Sequence, residues 1–422
     1  MDTNIIIHHV GGRNGSTSFN FSKYFKNNFT TVLYEPDTDA LETMESYCKE
    51  NYDRYYILPY CLDSTISSKI LNINRDPFTS SLLKQNPRFK DYYYFQSGSQ
   101  NNYDYVWGET TETIIETTVK TTTLDTILKT ENIPTPDILS IDTQGSEYAI
   151  LKGSENTLTK VLAIISEVEF SPLYENQALF GDICHFLYQF GFEFVSFDKL
   201  KEMSEMSAPI VARGKGSHMF SDALFVKSFE KIKIDFPHEM ERKLAVLKLA
   251  FFLITSGYIE KAIKLLQASD ALTLVNENNH LLKERYIKFC NDFYSKIYSV
   301  NNSLNRMPTF AETFTLDQSM GVTKINAQNI MPSLSKKNSN SWFLLKNMLR
   351  KTPLRFCVHL LRRIFHTISE AIFLRRNTRH TAIEELLFHC GLSNVANLVK
   401  QNRLKCSLGL YRNRCNAKNF LN

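Results

Sequence analysis

Two rhythms of apolar residues alternate along the first half of the chain. Short apolar runs stand at Asn4 to Val10, Thr31 to Glu35, Tyr55 to Tyr60, Asp137 to Asp142 and Val161 to Val168. Between them, at Ser16 to Phe25, Asp37 to Glu50, Ser146 to Lys152 and Ala178 to Phe190, apolar positions recur every three to four residues. A continuous apolar run bounded by turn residues suits a strand buried on both faces, and the longer period suits a helix with one buried face. Gly153 and Gly191 stand where two of the helices would end. Phe192 to Phe197 and Asp222 to Val226 complete the series, and the stretch before Pro134 is β-like but less regular. Strands alternating with helices predict an α/β fold with a Rossmann-like, mostly parallel, doubly wound sheet.

After residue 228 the pattern changes. The division expected is an α/β domain over 1–228, a helical extension over 229–298, a polar linker over 299–341 rich in Asn, Ser, Thr and Met, and a basic helical region over 342–422. A helical pair over 239–268 would pack on the first domain or join copies of the chain. The make-up is 43% apolar and 22% charged, which excludes a wholly disordered or fibrous chain. The longest apolar run, Leu249 to Ile254, is far short of the roughly 20 residues a membrane-spanning helix needs. The first residues carry an acid and no basic stretch, so they read as a strand and not as a secretory signal. The eight cysteines form no CxxC pair, so reduced thiols, a cytoplasmic chain and no metal site are expected. The net charge of +5 is small but localised: residues 341–380 hold nine Lys or Arg against the single acid Glu370, which leaves the remainder net negative. Leu354, Val358, Leu361, Phe365, Ile368 and Ile372 form an apolar stripe there. That segment could lie peripherally on an anionic membrane, dock a protein, or pack on the helix expected at 381–400. No nucleic-acid motif accompanies the charge, and the oligomeric state is open.

The candidate chemistry gathers after the first strands. VGGRNGSTSF follows the first strand and opens a helix. Gly11, Gly12 and Gly15 would let backbone N–H groups approach a nucleotide-like cofactor, or simply make a tight turn. Their spacing departs from GxGxxG. Glu35 ends the second strand, about 20 residues after Gly15. A carboxylate there can accept both hydroxyls of a ribose, or favour the start of the next helix. Asp63 follows the third strand, as a cofactor contact or an exposed turn acid. His8 and His9 point to opposite faces of a strand, and these two and His185 read as structural. Arg213, Lys215 and His218, in ARGKGSHMF, could meet an anion or stand in solvent.

The most specific stretch is PDILSIDTQGSEYAILKGSENTL, followed by VLAIISEVEFSPLYENQALFGDICHFLYQFGFEFVSF. It resembles the FkbM-family methyltransferases. Asp142, Gly145, Glu147, Leu151 and Gly153 match that family's strand-end Asp, its Gly and Glu, and its Leu-x-Gly. Glu167 or Glu169 matches the acid ending the next strand. Tyr174, Phe180 and Gly191-Phe192 fit the family's next helix and strand. Leu124-Asp125 and Ser80-Ser81 match earlier elements, so the resemblance covers about residues 5 to 228. It implies a class I methyltransferase fold with Asp222 to Val226 in its antiparallel last strand, S-adenosylmethionine as cofactor, and methyl transfer to a hydroxyl, most plausibly of a sugar or glycan in surface polysaccharide biosynthesis. On this resemblance Asp142, Glu169 and Glu147 are catalytic candidates, with Glu167 and His218 as further candidate bases. Gly11, Gly12, Gly15, Glu35, Asp63 and Asp142 are the candidate cofactor contacts. Glu167 and Glu169 share a strand face and could hold a divalent cation, though no further ligand spacing accompanies them. The family's glycine loop commonly begins Asp-Val-Gly-Ala-Asn-x-Gly, whereas here His9 and Arg13 replace the Asp and the Asn. That departure motivates a second reading, a non-catalytic scaffold that binds a glycan-assembly complex or membrane through its helical tail. A third, a nicotinamide-dependent oxidoreductase, rests on the shared βαβ logic alone.

Overall fold

The computed structural model describes residues 3–11, 25–94, 105–205, 216–301, 314–317 and 322–325. Gly12, Arg13, Gly15, the helix expected at Ser16 to Phe25 except its last residue, Arg213, Lys215, most of the linker and the whole region 342–422 lie outside them. The described residues fall into two compact units that meet between Asn291 and Asp292. Beyond the end of a helix, the second unit's described part is a short antiparallel hairpin, Phe314–Asp317 with Val322–Ile325.

The first unit has twelve described strands: β1 (Ile5–Val10), β2 (Phe29–Tyr34), β3 (Tyr55–Leu58), β4 (Cys61–Leu62), β5 (Ser67–Asn74), β6 (Tyr93–Tyr94), β7 (Tyr105–Val106), β8 (Thr113–Thr122), β9 (Ile138–Ile141), β10 (Ala163–Glu169), β11 (Phe192–Ser204) and β12 (Ser217–Lys227). Nine of them form one sheet in the order β3-β2-β1-β9-β10-β12-β11-β6-β7. β3, β2, β1, β9 and β10 are parallel. β12 runs antiparallel between β10 and β11. This is the mostly parallel Rossmann-like sheet that the alternation predicts, with the reversed last strand that the resemblance implies.

β1 and β2 are buried on both faces, which is why IIIHHV and FTTVLY read as unbroken strand segments. The helices Thr38–Asn51, Leu124–Thr130, Glu147–Lys152, Glu155–Leu158 and Phe180–Gln189 connect them. Local chemistry starts several of these. Thr123 caps one helix by accepting from the Thr126 N–H. Asp125 accepts from the backbone N–H groups of Asn156 and Thr157 at 2.9 and 2.8 Å, so it fixes the start of the helix Glu155–Leu158. One core cluster joins Val10, Val32, Leu139, Ile141, Ile164 and Phe225 with the inner faces of these helices.

Three details depart from the sequence reading. β11 and β12 extend well beyond Phe197 and before Asp222, because their outer residues pair with each other. β5 and β8 form a long antiparallel ladder that, with β4, makes a second, three-stranded sheet. Gly153 does end its helix, but at φ −74°, so no left-handed turn requires it. A Cβ there would stand 2.2 Å from the Asp63 carbonyl oxygen, and that close approach is what demands glycine.

The helix Glu239–Thr255 is buried from Leu244 to Ile254 and packs on the same unit. Its Lys248 ammonium meets Asp137 at 2.8 Å, and the same carboxylate oxygen accepts the Ile6 N–H at 2.8 Å. Phe251 packs edge-on against Phe25 at 4.8 Å. No described helix is long and apolar enough to cross a membrane.

Candidate active site

In an open α/β sheet the carboxyl ends of the strands face a crevice where ligands bind. Here that crevice is a cavity of about 510 Å³. At one end it is lined by Val10, Gly11, Tyr34, Glu35 and Tyr60, in the middle by Asp142, Thr143 and Gln144, and at the other end by Tyr94, Trp107 and Phe220. Leu71, Ile73, Thr117 and Val119 of the small sheet contribute a further wall.

The strand ends are drawn tightly together. Gly11 has φ +86°, donates its N–H to the Tyr34 carbonyl at 3.2 Å, and lies so near β9 that a Cβ would stand 1.7 Å from the Asp142 carbonyl oxygen. Only glycine fits there. Glu35 is buried, and its Oε1 accepts the Asp37 N–H at 2.9 Å.

The loop after β9 is the best-connected part of the cavity. Gln144 and Gly145 both have positive φ, +57° and +107°. The Gln144 side-chain amide donates to Asp142 Oδ1 at 2.9 Å and to Glu167 Oε2 at 2.6 Å. Its Oε1 accepts from the Tyr174 hydroxyl at 3.3 Å, and its carbonyl accepts from the Ser81 hydroxyl at 2.7 Å. Behind it, Glu147 Oε1 accepts the N–H groups of Thr143 and Gly145 at 2.7 and 3.1 Å and the Thr143 hydroxyl at 3.0 Å.

Four acids crowd this loop, and burial governs them. Burial raises the Glu147 carboxyl to about 7 against the pull of its backbone donors. Burial first, then the neighbouring carboxylates led by Asp142, holds Glu167 well above the ordinary carboxylate range. Glu169 is raised in the same way, with Glu147 the leading neighbour and the Gln177 amide acting in the opposite direction. Asp142, by contrast, is exposed to the cavity. The arrangement therefore sets one cavity-facing acid in front of three buried ones whose hold on a proton burial strengthens. A carboxylate so placed can orient a hydroxyl or take its proton.

Of the residues singled out from the sequence, the structure brings Gly11, Glu35 and Asp142 together on the cavity wall. Glu147, Glu167 and Glu169 stand behind that wall. Asp63 is buried next to it, paired with Lys69. His218 lies at the surface, 3.7 Å from Glu202. His8 and His9 are both buried. His8 bonds the Pro134 carbonyl and the Tyr34 hydroxyl, and burial lowers it to about 3. His9 Nδ1 lies 2.8 Å from the Ser140 hydroxyl on the neighbouring strand. No group of three or more His, Cys, Asp or Glu converges as a metal site among the described residues. Sequence reasoning missed Gln144, whose only signal was its place before a glycine in DTQGSE, and the aromatic residues Tyr94, Trp107 and Phe220.

The sheet order and the strand-end cavity define the class, a Rossmann-like α/β methyltransferase fold. Residues 9–194 match the methyltransferase FkbM domain family. Among solved structures it is similar to the crystal structure of methyltransferase FkbM from Methylobacillus flagellatus KT, at 11% identity and a TM-score of 0.30. That match covers 54% of this chain and 44% of the other, so the chain spans less than half the length of that protein. No curated protein matches the chain.

Proposed function

We propose that the protein is an S-adenosylmethionine-dependent O-methyltransferase acting on a hydroxyl, most plausibly of a sugar or glycan in surface polysaccharide biosynthesis. The observation that carries the cofactor assignment is the charge of the cavity. Its charged lining residues, among those described, are Glu35, Asp37, Asp76 and Asp142, with no Lys, Arg or His. A dinucleotide would bring a pyrophosphate against these carboxylates, whereas a sulfonium cofactor brings positive charge. A volume of about 510 Å³ is also within the range of small-molecule sites. The same charge among the described residues favours a sulfonium over a nicotinamide dinucleotide.

Glu35 is suited to the ribose hydroxyls, and Gly11 offers a backbone surface with no side chain to hold a ligand away. When bound, S-adenosylmethionine supplies an electrophilic methyl carbon on a positively charged sulfur. Asp142, held in position by the Gln144 amide, would accept the acceptor's hydroxyl proton. Glu167 and Glu169 stand behind the cavity wall and so do not compete for that role. Glu147 holds the loop on which Asp142 and Gln144 ride.

Calorimetric titration of S-adenosylmethionine and S-adenosylhomocysteine into the full chain tests this. Binding is expected, with NAD silent. Glu35→Ala should weaken it by about 10- to 100-fold, the worth of one or two hydrogen bonds to a charged group. Absence of binding would move the protein to the second reading, a non-catalytic scaffold. That reading draws on His9, which stands at the family's first-strand acid position and is turned to Ser140.

A further inference from the structure

The cavity has two ends of different chemistry. The sheet order puts Glu35, after β2, four strand positions from Phe220 on β12, about 19 Å at the usual strand spacing. Asp142 lies between them. If the ribose sits at Glu35 and the reacting proton at Asp142, the acceptor must come from the far end. There the lining changes from acids to rings. Tyr94 and Phe220 lie nearly parallel, 5.8 Å apart at 11°. Trp107 stands 6.3 Å from Phe220 and 6.3 Å edge-on from Tyr174. Burial, aided by the Glu167 and Asp222 carboxylates, pushes the Tyr94 phenol up to about 12.

One polar atom in this wall is out of balance. The Trp107 side chain is 4% exposed, yet its indole N–H has no hydrogen-bond partner among the described residues. A buried donor without an acceptor is a cost that a native structure seldom carries idle. Trp107 lines the cavity, and a ligand oxygen that displaced the atoms covering the indole N–H would remove that cost. Aromatic faces beside an N–H donor, with a carboxamide and a carboxylate as the polar floor, suit a molecule that presents a C–H face and a rim of hydroxyls. Asp142, in the middle of the cavity, opposes a phosphate. Lys201, 6.0 Å from the Tyr94 ring, is the cation that approaches this group of rings among the described residues.

We propose that Tyr94, Trp107 and Phe220 form the acceptor platform, and that the acceptor seated on it is an uncharged sugar ring, not a nucleotide sugar or a sugar phosphate. This rests on the methyl-transfer reading above. It adds the place of the acceptor and its charge class.

The chain has two tryptophans, so Trp342→Phe makes Trp107 the sole reporter. The full chain carrying that change is titrated with the methyl glycosides of glucose, galactose, mannose and rhamnose, and with the matching sugar 1-phosphates and UDP-sugars. The indole N–H resonance and the tryptophan emission are followed, with and without S-adenosylhomocysteine. At least one neutral glycoside should move both signals, and Phe220→Leu, which fills the volume without a ring, should weaken it roughly tenfold. A charged sugar that acts at lower concentration than every neutral one overturns the proposal. Silence from all glycosides, in protein that binds S-adenosylhomocysteine normally, also overturns it and leaves the methyl-transfer reading standing. A Trp107 response in protein that never binds S-adenosylhomocysteine supports a sugar platform and sinks methyl transfer.

Discussion

The large sheet is two structures joined at β10. On one side β3, β2, β1 and β9 run parallel to it, short and largely buried. On the other, β12, β11, β6 and β7 are antiparallel, and β12 alternates exposed and buried residues at its outer end. Parallel strands end together, so their acids and turn glycines collect at one edge. Antiparallel strands deliver mid-strand and hairpin residues to that same edge, here Phe220 on β12 and Tyr94 on β6. The parallel half thus supplies the charged end of the cavity and the antiparallel half its aromatic end. A change on the parallel side should strike cofactor binding, and a change on the antiparallel side should spare it.

The largest test is Gly11→Ala. The new methyl group would meet the Asp142 carbonyl at 1.7 Å, on a backbone with φ +86°. A left-handed alanine and an overpacked contact together should cost about 3–5 kcal/mol. Urea unfolding should show that loss, and S-adenosylhomocysteine binding should disappear with it. A variant of near-normal stability that still binds would mean that the edges of β1 and β9 part easily, and the cavity's charged end would not be preformed.

Next in size is a contrast between two variants. Glu35→Ala should cost the cofactor about 10- to 100-fold in affinity. Phe220→Leu should leave cofactor affinity within about threefold, since rotamer and packing adjustments at a distant wall are worth less than about 0.6 kcal/mol. Calorimetry on both reads the division directly. Equal losses would erase the distinction between the two ends.

The two halves are also unequally legible in the sequence. The parallel strands announce themselves as apolar runs, and the positions of Gly11, Glu35 and Asp142 follow from where those runs stop. β11 and β12 read too short because their outer residues, such as Lys201, Glu202 and His218, are stabilised by cross-strand pairing. No local period reveals that. The small sheet escapes for the same reason, since β8 is a run of Thr with Glu116 and Lys120 facing out. Glu147 and Glu169 look catalytic because a motif identifies a residue type at a position. Whether a carboxylate faces the cavity or the loop's own N–H groups is set by tertiary packing. Asp125 reads only as part of a motif, and its work is to hold the next helix.

Glu147→Gln sharpens the parallel side further. All three donors meet Oε1, an oxygen the glutamine keeps, so the loop should survive. What changes is proton binding. The folded carboxyl titrates near 7 against an ordinary 4.5, so between those values the native state binds more protons than the unfolded chain. The wild type therefore loses stability from this group as pH rises through that window. His8, lowered to about 3, acts with the opposite sign between about 3 and 6.5, where the unfolded chain takes the proton that the native state refuses. The difference between wild type and Glu147→Gln cancels the histidine. It should favour the variant increasingly from pH 5 to pH 8 in urea unfolding, and a flat difference would show that Glu147 is ionised throughout.

The smallest effect expected comes from Ser81→Ala, and it tests what joins the small sheet to the cavity. The Ser81 hydroxyl donates to the Gln144 carbonyl at 2.7 Å and accepts the Leu83 N–H at 3.0 Å. Its backbone bridges to Asn72 on β5 in both directions, at 2.8 and 3.1 Å. One side chain thus ties the wall made by β5 and β8 to the left-handed residue whose amide holds Asp142. Losing a single buried hydrogen bond of this kind should cost about 1 kcal/mol. Because the backbone bridge survives, the wall itself should stay. If Gln144 needs that anchor, hydrogen exchange at Gln144 and Gly145 should quicken in the variant while exchange in β5 stays as in the wild type. Equal quickening in both would mean that Ser81 serves the small sheet, and that Gln144 is held by Glu167, Asp142 and Tyr174 alone.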